Sequence, residues 1–229
     1  SSTACAQVQS GSAVIRVNPL PAATLTGTTS VCKDGAYPEL TFTGSNGTEP
    51  YTFVYTINSS SNQTIQTSTG NSVTVPVPTG TTGIFTYSLV SVRDASSTSC
   101  VQTQSGSATV TINPLPTATI SGTTAVCQNA ASPDISFTGA SGTAPYTFSY
   151  RVNGGATQFV STTSGNSATV SASTLTPGTY TYTLLSVVDA SSSACVQSQT
   201  GSAVVTVNPL PTATISGTTS VCQNGPQPN

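Results

Sequence analysis

Six cysteines are the most reactive side chains in this sequence, and their spacing is regular. Cys5, Cys100 and Cys195 recur at one step of 95 residues, and Cys32, Cys127 and Cys222 keep the same step. Thiols in this number either hold a metal as thiolates or oxidise in pairs. Metal binding calls for C-x-x-C pairs or histidine partners, and the chain has no histidine and no such pair. Disulfide formation is therefore the expected chemistry. Disulfides persist in oxidising compartments, so the expected location is extracellular or on a cell surface.

Other chemistry has little to work with. General acid–base or nucleophilic catalysis needs groups that titrate or attack near neutral pH, and the sequence holds six carboxylates and four Lys/Arg. The carboxylates are Asp34, Glu39, Glu49, Asp94, Asp134 and Asp189. Glu39 recurs as Asp134 and Asp94 as Asp189, but Asp34 and Glu49 become Asn129 and Ala144. An acid pair would thus exist in one copy of the pattern only, and no catalytic or cofactor-binding residue is assigned. Calcium would need several carboxylates close together; "RDASST" and "VDASSS" each offer one acid, better placed as a turn former. No metal ligand is assigned. Lys33 becomes Gln128 and Gln223, so a Lys–Asn isopeptide link cannot belong to every copy. The glycosylation sequons at Asn46, Asn58 and Asn62 have no counterpart in the second copy.

The elements that must position these cysteines repeat with them. "NPLPAATLTGTTSVC" starts at Asn18, "NPLPTATISGTTAVC" at Asn113 and "NPLPTATISGTTSVC" at Asn208, and the two stretches between agree at about half of their positions. Self-similarity at a fixed period marks an array of one structural unit. A unit this long suits a small domain that folds alone. The expected organisation is two complete repeats, 18–112 and 113–207, preceded by the last strand of another copy (1–17) and followed by the start of a further one (208–229).

Within the second repeat, period-2 alternation rich in Val, Ile, Thr, Tyr and Phe, broken by Gly, Pro and Asn, predicts an all-β unit. The expected strands are "TATIS", "DISFTG", "PYTFSYRVN", "TQFVSTT", "SATVSA", "GTYTYTLLSVVD" and "GSAVVTV". Seven short strands in such a length describe an immunoglobulin-like β-sandwich, and the whole predicts tandem sandwiches in an extended array. Tyr146, Phe148 and Tyr150 share one strand face, as do Tyr51, Phe53 and Tyr55; a face packed into the core is the expected role. Tyr51 and Tyr146 also adjoin the turns "GSNGTEPY" and "GASGTAPY", which makes them candidates for an exposed ligand rim. Asn18, Pro19 and Pro21, Asn113, Pro114 and Pro116, and Asn208, Pro209 and Pro211 fall between repeats. Proline fixes φ and removes an amide donor, so these residues predict a semi-rigid linker.

Composition excludes several partners. Only 4% of residues are charged and the net charge is −2, so no phosphate-binding face exists and nucleic acid is not an expected partner. No apolar run reaches the roughly 20 residues that span a bilayer.

At this level the phrases "NPLPTATISGT", "VCQN", "GTAPYTFSY", "SGNSATV", "GTYTYTLLSVVDASS" and "GSAVVTVNPLP" resemble the tandem immunoglobulin-like or PKD-like repeats of giant surface proteins in Bacteroidetes. Gliding-motility adhesins of the SprB type and other cargo of type IX secretion carry repeats of this kind. The resemblance covers the whole chain. It implies an extracellular, multi-domain adhesin or filament whose repeats act as stalk.

Three pairings of the cysteines are open. Pairing within a repeat (Cys32 with Cys100, Cys127 with Cys195) would join opposite ends of a sandwich, about 25–30 Å apart on strands of this length. A disulfide needs Cα atoms within about 7 Å, so this scheme is disfavoured. Pairing across the linker (Cys5–Cys32, Cys100–Cys127, Cys195–Cys222) stays open if "NPLP" turns back as a tight hairpin. Pairing down the array joins Cys32 to Cys195 and is preferred, because the exit end of one domain would meet the loop end of the next.

The expected function is a non-catalytic stalk or filament segment of a secreted adhesin, with further copies of the same repeat as its neighbours. Two rivals are a module that binds surface glycans through the Tyr51 and Tyr146 rim, and a self-assembling fibre completed by strands from other filament chains.

Overall fold

The computed structural model describes residues 2–225. Every regular element in them is a strand, and no helix is long and apolar enough to cross a membrane. The residues form two units. The first comprises the chain up to Leu115 together with Ser191–Cys195; the second comprises Pro116–Ala190 and the residues from Val196 on.

The first unit contains β1 (Ala22–Thr26), β2 (Thr29–Cys32), β3 (Glu39–Ser45), β4 (Thr52–Ile57), β5 (Gln63–Gln66), β6 (Ser72–Pro76), β7 (Gly83–Arg93), β8 (Val101–Thr103) and β9 (Ser107–Asn113). One sheet has the order β1-β3-β6; the other runs β2-β9-β7-β4-β5, with β8 also paired to β7. The second unit repeats this with β10 (Thr117–Ser121), β11 (Thr124–Cys127), β12 (Asp134–Ala140), β13 (Thr147–Val152), β14 (Gln158–Ser161), β15 (Ser167–Ser171), β16 (Gly178–Val188), β17 (Val196–Ser198) and β18 (Ser202–Asn208). Its sheets are β10-β12-β15 and β11-β18-β16-β13-β14, with β17 on β16.

Alternation explains the layering. In β3, Leu40, Phe42 and Gly44 turn inward while Glu39 and Ser45 face out. In β9, Ala108, Val110 and Ile112 do the same. The two inner faces meet in a core where the Phe42 ring lies 5.6 Å from Phe53 and 5.0 Å from Tyr55. Phe137 lies 5.8 Å from Phe148 and 5.0 Å from Tyr150 in the second unit. Each fully buried phenylalanine contributes on the order of 1.5–3 kcal/mol over an exposed one. With so few charges, packing must supply most of the stability.

All seven strands expected in the second repeat are present. Four more elements are not foreshadowed by alternation: β2 and β11, which pair in parallel with β9 and β18, and the three-residue β8 and β17. The chain reaches β2 by leaving one sheet for the other at Gly27, whose φ is +119°. A Cβ there would stand 2.6 Å from the Glu39 carbonyl oxygen. Only glycine makes this change of sheet.

The terminal segments differ from the expected strands. Residues 2–21 carry no strand, nor do residues 209–225. Residues 107–113 form β9 by pairing with β7, and the matching residues 12–18 have no copy of β7 before them in these 229 residues. A lone strand leaves its amides unpaired. Residue 1 and residues 226–229, at the ends of the expected segments 1–17 and 208–229, lie outside the described residues.

Candidate functional site

Cys32 is the last residue of β2, opposite Asn113 in the parallel pairing with β9. The Lys33 amide continues the ladder, donating to the Asn113 carbonyl at 2.8 Å. A disulfide joins Cys32 to Cys195, with Cα atoms 5.6 Å apart at a sequence separation of 163. This is the down-array pairing. Pairing across the linker would use Cys32 and Cys195 with Cys5 and Cys222, and both of those are free and exposed.

Around the bond, hydroxyls gather on one amide. The Asn113 Nδ2 donates to Ser30 Oγ at 2.9 Å, Ser193 Oγ at 3.1 Å and Ser192 Oγ at 3.3 Å. Ser30 and Ser192 share a 2.6 Å hydrogen bond, and Ser193 donates to Ser30 at 3.2 Å. Neutral hydrogen bonds of this kind net about 0.5–1.5 kcal/mol each, and they are insensitive to salt. Nothing in residue spacing announced the serines.

The loop carrying Cys195 is also held by hydrogen bonds of its own. The Ala194 amide donates to the Ser191 carbonyl at 2.9 Å, and Ala194 takes φ of 46°. The Cys195 amide meets Ser191 Oγ at 3.5 Å. The loop at Cys100 matches it: Ser99 to Ser96 at 2.8 Å, φ of 47° at Ser99, Cys100 to Ser96 Oγ at 3.5 Å. There Asn18 takes the place of Asn113, donating to Thr98 Oγ1 at 3.0 Å and Ser97 Oγ at 3.4 Å.

Asp94 organises the Cys100 loop from below. It is buried, 3% exposed, and its carboxylate accepts the Thr48 amide at 3.1 Å and the Ser96 hydroxyl at 2.8 Å. Burial alone would raise its pKa. The amides of Thr48, Ser96 and Cys100 and the Ser96 hydroxyl outweigh it and hold the carboxyl below its ordinary range. Asp189 accepts the Thr143 amide at 3.0 Å in the second unit. The turn role expected for these acids stands, and the motif reaches further: it fixes where a cysteine is presented.

The linker residues divide. Pro19 and Pro114 are exposed, but Pro21 and Pro116 are buried within their units. Gln104 Nε2 donates to the Pro21 carbonyl at 3.4 Å while its Oε1 accepts the Ala23 amide at 3.2 Å. Gln199 does the same to Pro116 and Ala118, at 3.4 and 3.0 Å. In each unit the glutamine thus satisfies the proline's own carbonyl and the amide two residues further on. Pro21 and Pro116 therefore sit directly before β1 and β10, packed into a domain rather than in a free connector. Asn208, Pro209 and Pro211 are exposed.

The ligand rim is corrected. Tyr51 and Tyr146 are 3% and 2% exposed. The alternation that turns Phe53 and Phe148 inward carries Tyr51 and Tyr146 with them. A Cβ on Gly44 would sit 2.5 Å from the Tyr51 ring, and one on Gly139 2.6 Å from Tyr146. The Tyr51 hydroxyl donates to the Gly47 carbonyl at 2.9 Å and accepts its amide at 3.1 Å. Neither ring offers a face to a sugar. Among the described residues, no three His, Cys, Asp or Glu side chains gather where they could hold a metal ion.

No family model matches the sequence, and no curated protein matches it. Among solved structures, the three immunoglobulin domains I67–I69 of titin align with 85% of this chain and 66% of their own length, at 14% identity and a TM-score of 0.50. A Ca2+-stabilised, ice-binding adhesin of an Antarctic bacterium aligns over 84% of this chain at 16% identity, with a TM-score of 0.47. This chain spans 50% of that structure's length. A 1.5-MDa bacterial ice-binding adhesin aligns over 85% of this chain and 67% of its own, at 16% identity and a TM-score of 0.44. The titin likeness and the sheet orders show an all-β chain of immunoglobulin-like sandwiches.

Proposed function

We propose that this chain is a non-catalytic, structural stretch of an extracellular surface adhesin or filament, built from the repeats 18–112 and 113–207. The observation that carries the reading is the Cys32–Cys195 bond. It ties the end of one repeat's β2 to a residue more than a full repeat later, so consecutive copies are coupled covalently rather than merely strung together. A disulfide supports an oxidising, extracellular setting. The adhesins among the similar solved structures support the class; type IX secretion and gliding are the resemblance's own, finer part of the proposal.

In this reading repetition is the function. Each repeat lengthens the chain by about 40 Å, a strand plus its loops, and surfaces of hydroxyls and amides avoid charge-driven adhesion. Small-angle scattering on the oxidised chain tests it. The expected result is an elongated particle whose longest dimension changes little between low and high salt. A compact particle, or saturable binding of the chain to a glycan array, overturns the reading.

A further inference from the structure

A cavity in the first unit has no part in the stalk reading. It lies between the end of β4, the start of β7 and the loop after β6, and encloses about 350 Å³. That volume falls at the lower end of small-molecule sites. Its rim is held by the protein's own hydrogen bonds. The Asp34 amide donates to the Thr79 carbonyl at 3.0 Å, Thr79 Oγ1 to the Gly35 carbonyl at 2.7 Å, and the Val77 amide to the Pro38 carbonyl at 2.9 Å. Little ordering entropy is then lost when a ligand enters.

Three aromatic rings line the cavity: Tyr37 is exposed, Phe85 half-buried and Tyr87 buried, with 4% of its surface exposed. Tyr87 sits across the strands from Ile57, another wall residue. The Tyr87 hydroxyl has no hydrogen-bond partner among the described residues, whereas every side-chain nitrogen or oxygen sealed from solvent has one. That hydroxyl therefore reaches open space, and the cavity is the open space that Tyr87 lines. Burial, and after it the neighbouring Tyr55, raises its pKa, so at pH 7 it is a neutral donor.

The two repeats diverge at this spot. Tyr37, Ile57, Gly80 and Phe85 are matched by Ser132, Val152, Leu175 and Tyr180. The Tyr180 hydroxyl donates to the Thr176 carbonyl at 2.9 Å. Phe85 has no hydroxyl to make that tie to Thr81, the matching residue, and both of these line the cavity.

We infer that this cavity binds a neutral, planar molecule of one or two aromatic rings, carrying an oxygen that pairs with the Tyr87 hydroxyl. Ring walls favour an aromatic guest, stacked or edge-on. Among the described residues no charged side chain lines the cavity. Asp34, beside Gly80, is already paired with Lys33 at 3.4 Å, so an ion would lose its water and gain no counter-charge. A sugar carries more hydroxyls than Tyr37, Thr81 and Tyr87 can meet. The inference is independent of the stalk reading.

The test titrates 2-naphthol and naphthalene into the isotope-labelled 229-residue chain and follows amide chemical shifts. The expected result is saturable shifts at Gly80, Thr81 and Phe85, with 2-naphthol bound more tightly. Tyr87→Phe is expected to weaken 2-naphthol about three- to tenfold, the worth of one hydrogen bond, and to leave naphthalene unchanged. Loss of fold would not produce that split. Gly80→Leu and Phe85→Tyr install the second unit's residues and are expected to weaken both probes about tenfold or more. A Cβ on Gly80 meets nothing nearer than Asp34 Oδ1 at 3.9 Å, so the fold accepts the change. No saturable shift, shifts confined to other residues, or affinities unchanged in all three variants overturn the inference. Tighter binding of N-acetyltyrosinamide than of 2-naphthol also overturns it, because the occupant would then be a protein side chain.

Discussion

The Cα atoms of Cys32 and Cys195 stand 5.6 Å apart although their sequence separation is 163. Closing so long a loop removes much freedom from the unfolded chain. The chain-entropy scale places that near 5 kcal/mol, with measured bridges usually at 2–4 kcal/mol. Cys32→Ser, Cys195→Ser and the double variant are expected to lower the urea midpoint by the same amount, because all three lose one bond. Midpoints that match the oxidised parent would show the bridge to be idle.

Tyr51 and Gly44 make a second pairing whose loss is measurable. Gly44→Ala forces a methyl against a rigid ring and is expected to cost the first unit about 1–3 kcal/mol. Tyr51→Phe keeps the ring but strips two hydrogen bonds from Gly47, for about 1–2 kcal/mol. Thermal denaturation that leaves either variant at the parental midpoint contradicts the packing described.

Asp94 gives the first unit an acid dependence of known sign. Its folded-state pKa lies below its unfolded value. Its contribution is therefore complete above the usual aspartate range, near pH 4, and is lost as pH falls through the depressed folded value. Stability is expected to be level from pH 7 to 5 and to decline below 4. Asp94→Asn should start lower at pH 7 and decline less, as followed by circular dichroism across that range.

Gln199 holds the Ala118 amide and the Pro116 carbonyl together. Gln199→Ala is expected to speed hydrogen exchange at Ala118 by tenfold or more, while the Phe137 and Phe148 amides in the core keep their protection. Exchange at Ala118 that does not change would mean that another group closes this strand.

Much of this was legible in residue order. The cysteine step, the repeat length and seven strands of the second repeat follow from alternation and turn residues, because a half-buried strand writes its two faces into the sequence. "TSVC" and "VQT" are too short for a pattern to develop, and β2 depends on a parallel partner about 80 residues away. Only its glycine- and proline-rich neighbours make Tyr51 a rim candidate; the parity it shares with Phe53, which predicts a core face, is the better guide. The Gln104, Gln199, Ser30 and Ser193 contacts are legible in three dimensions only, since a single polar residue leaves no period.

The disulfide also decides where a pull on the two ends of the chain is felt. Tension entering at the N-terminal side passes from Cys32 through sulfur to Cys195, bypassing residues 33–194. Strands β3 to β16 all lie in that bypassed segment, outside the covalent path that carries the load. Only β1, β2, β17, β18 and the terminal segments remain in line. A tether wired in this way is hard to stretch without being rigidly packed, and a reductant would release its hidden length all at once.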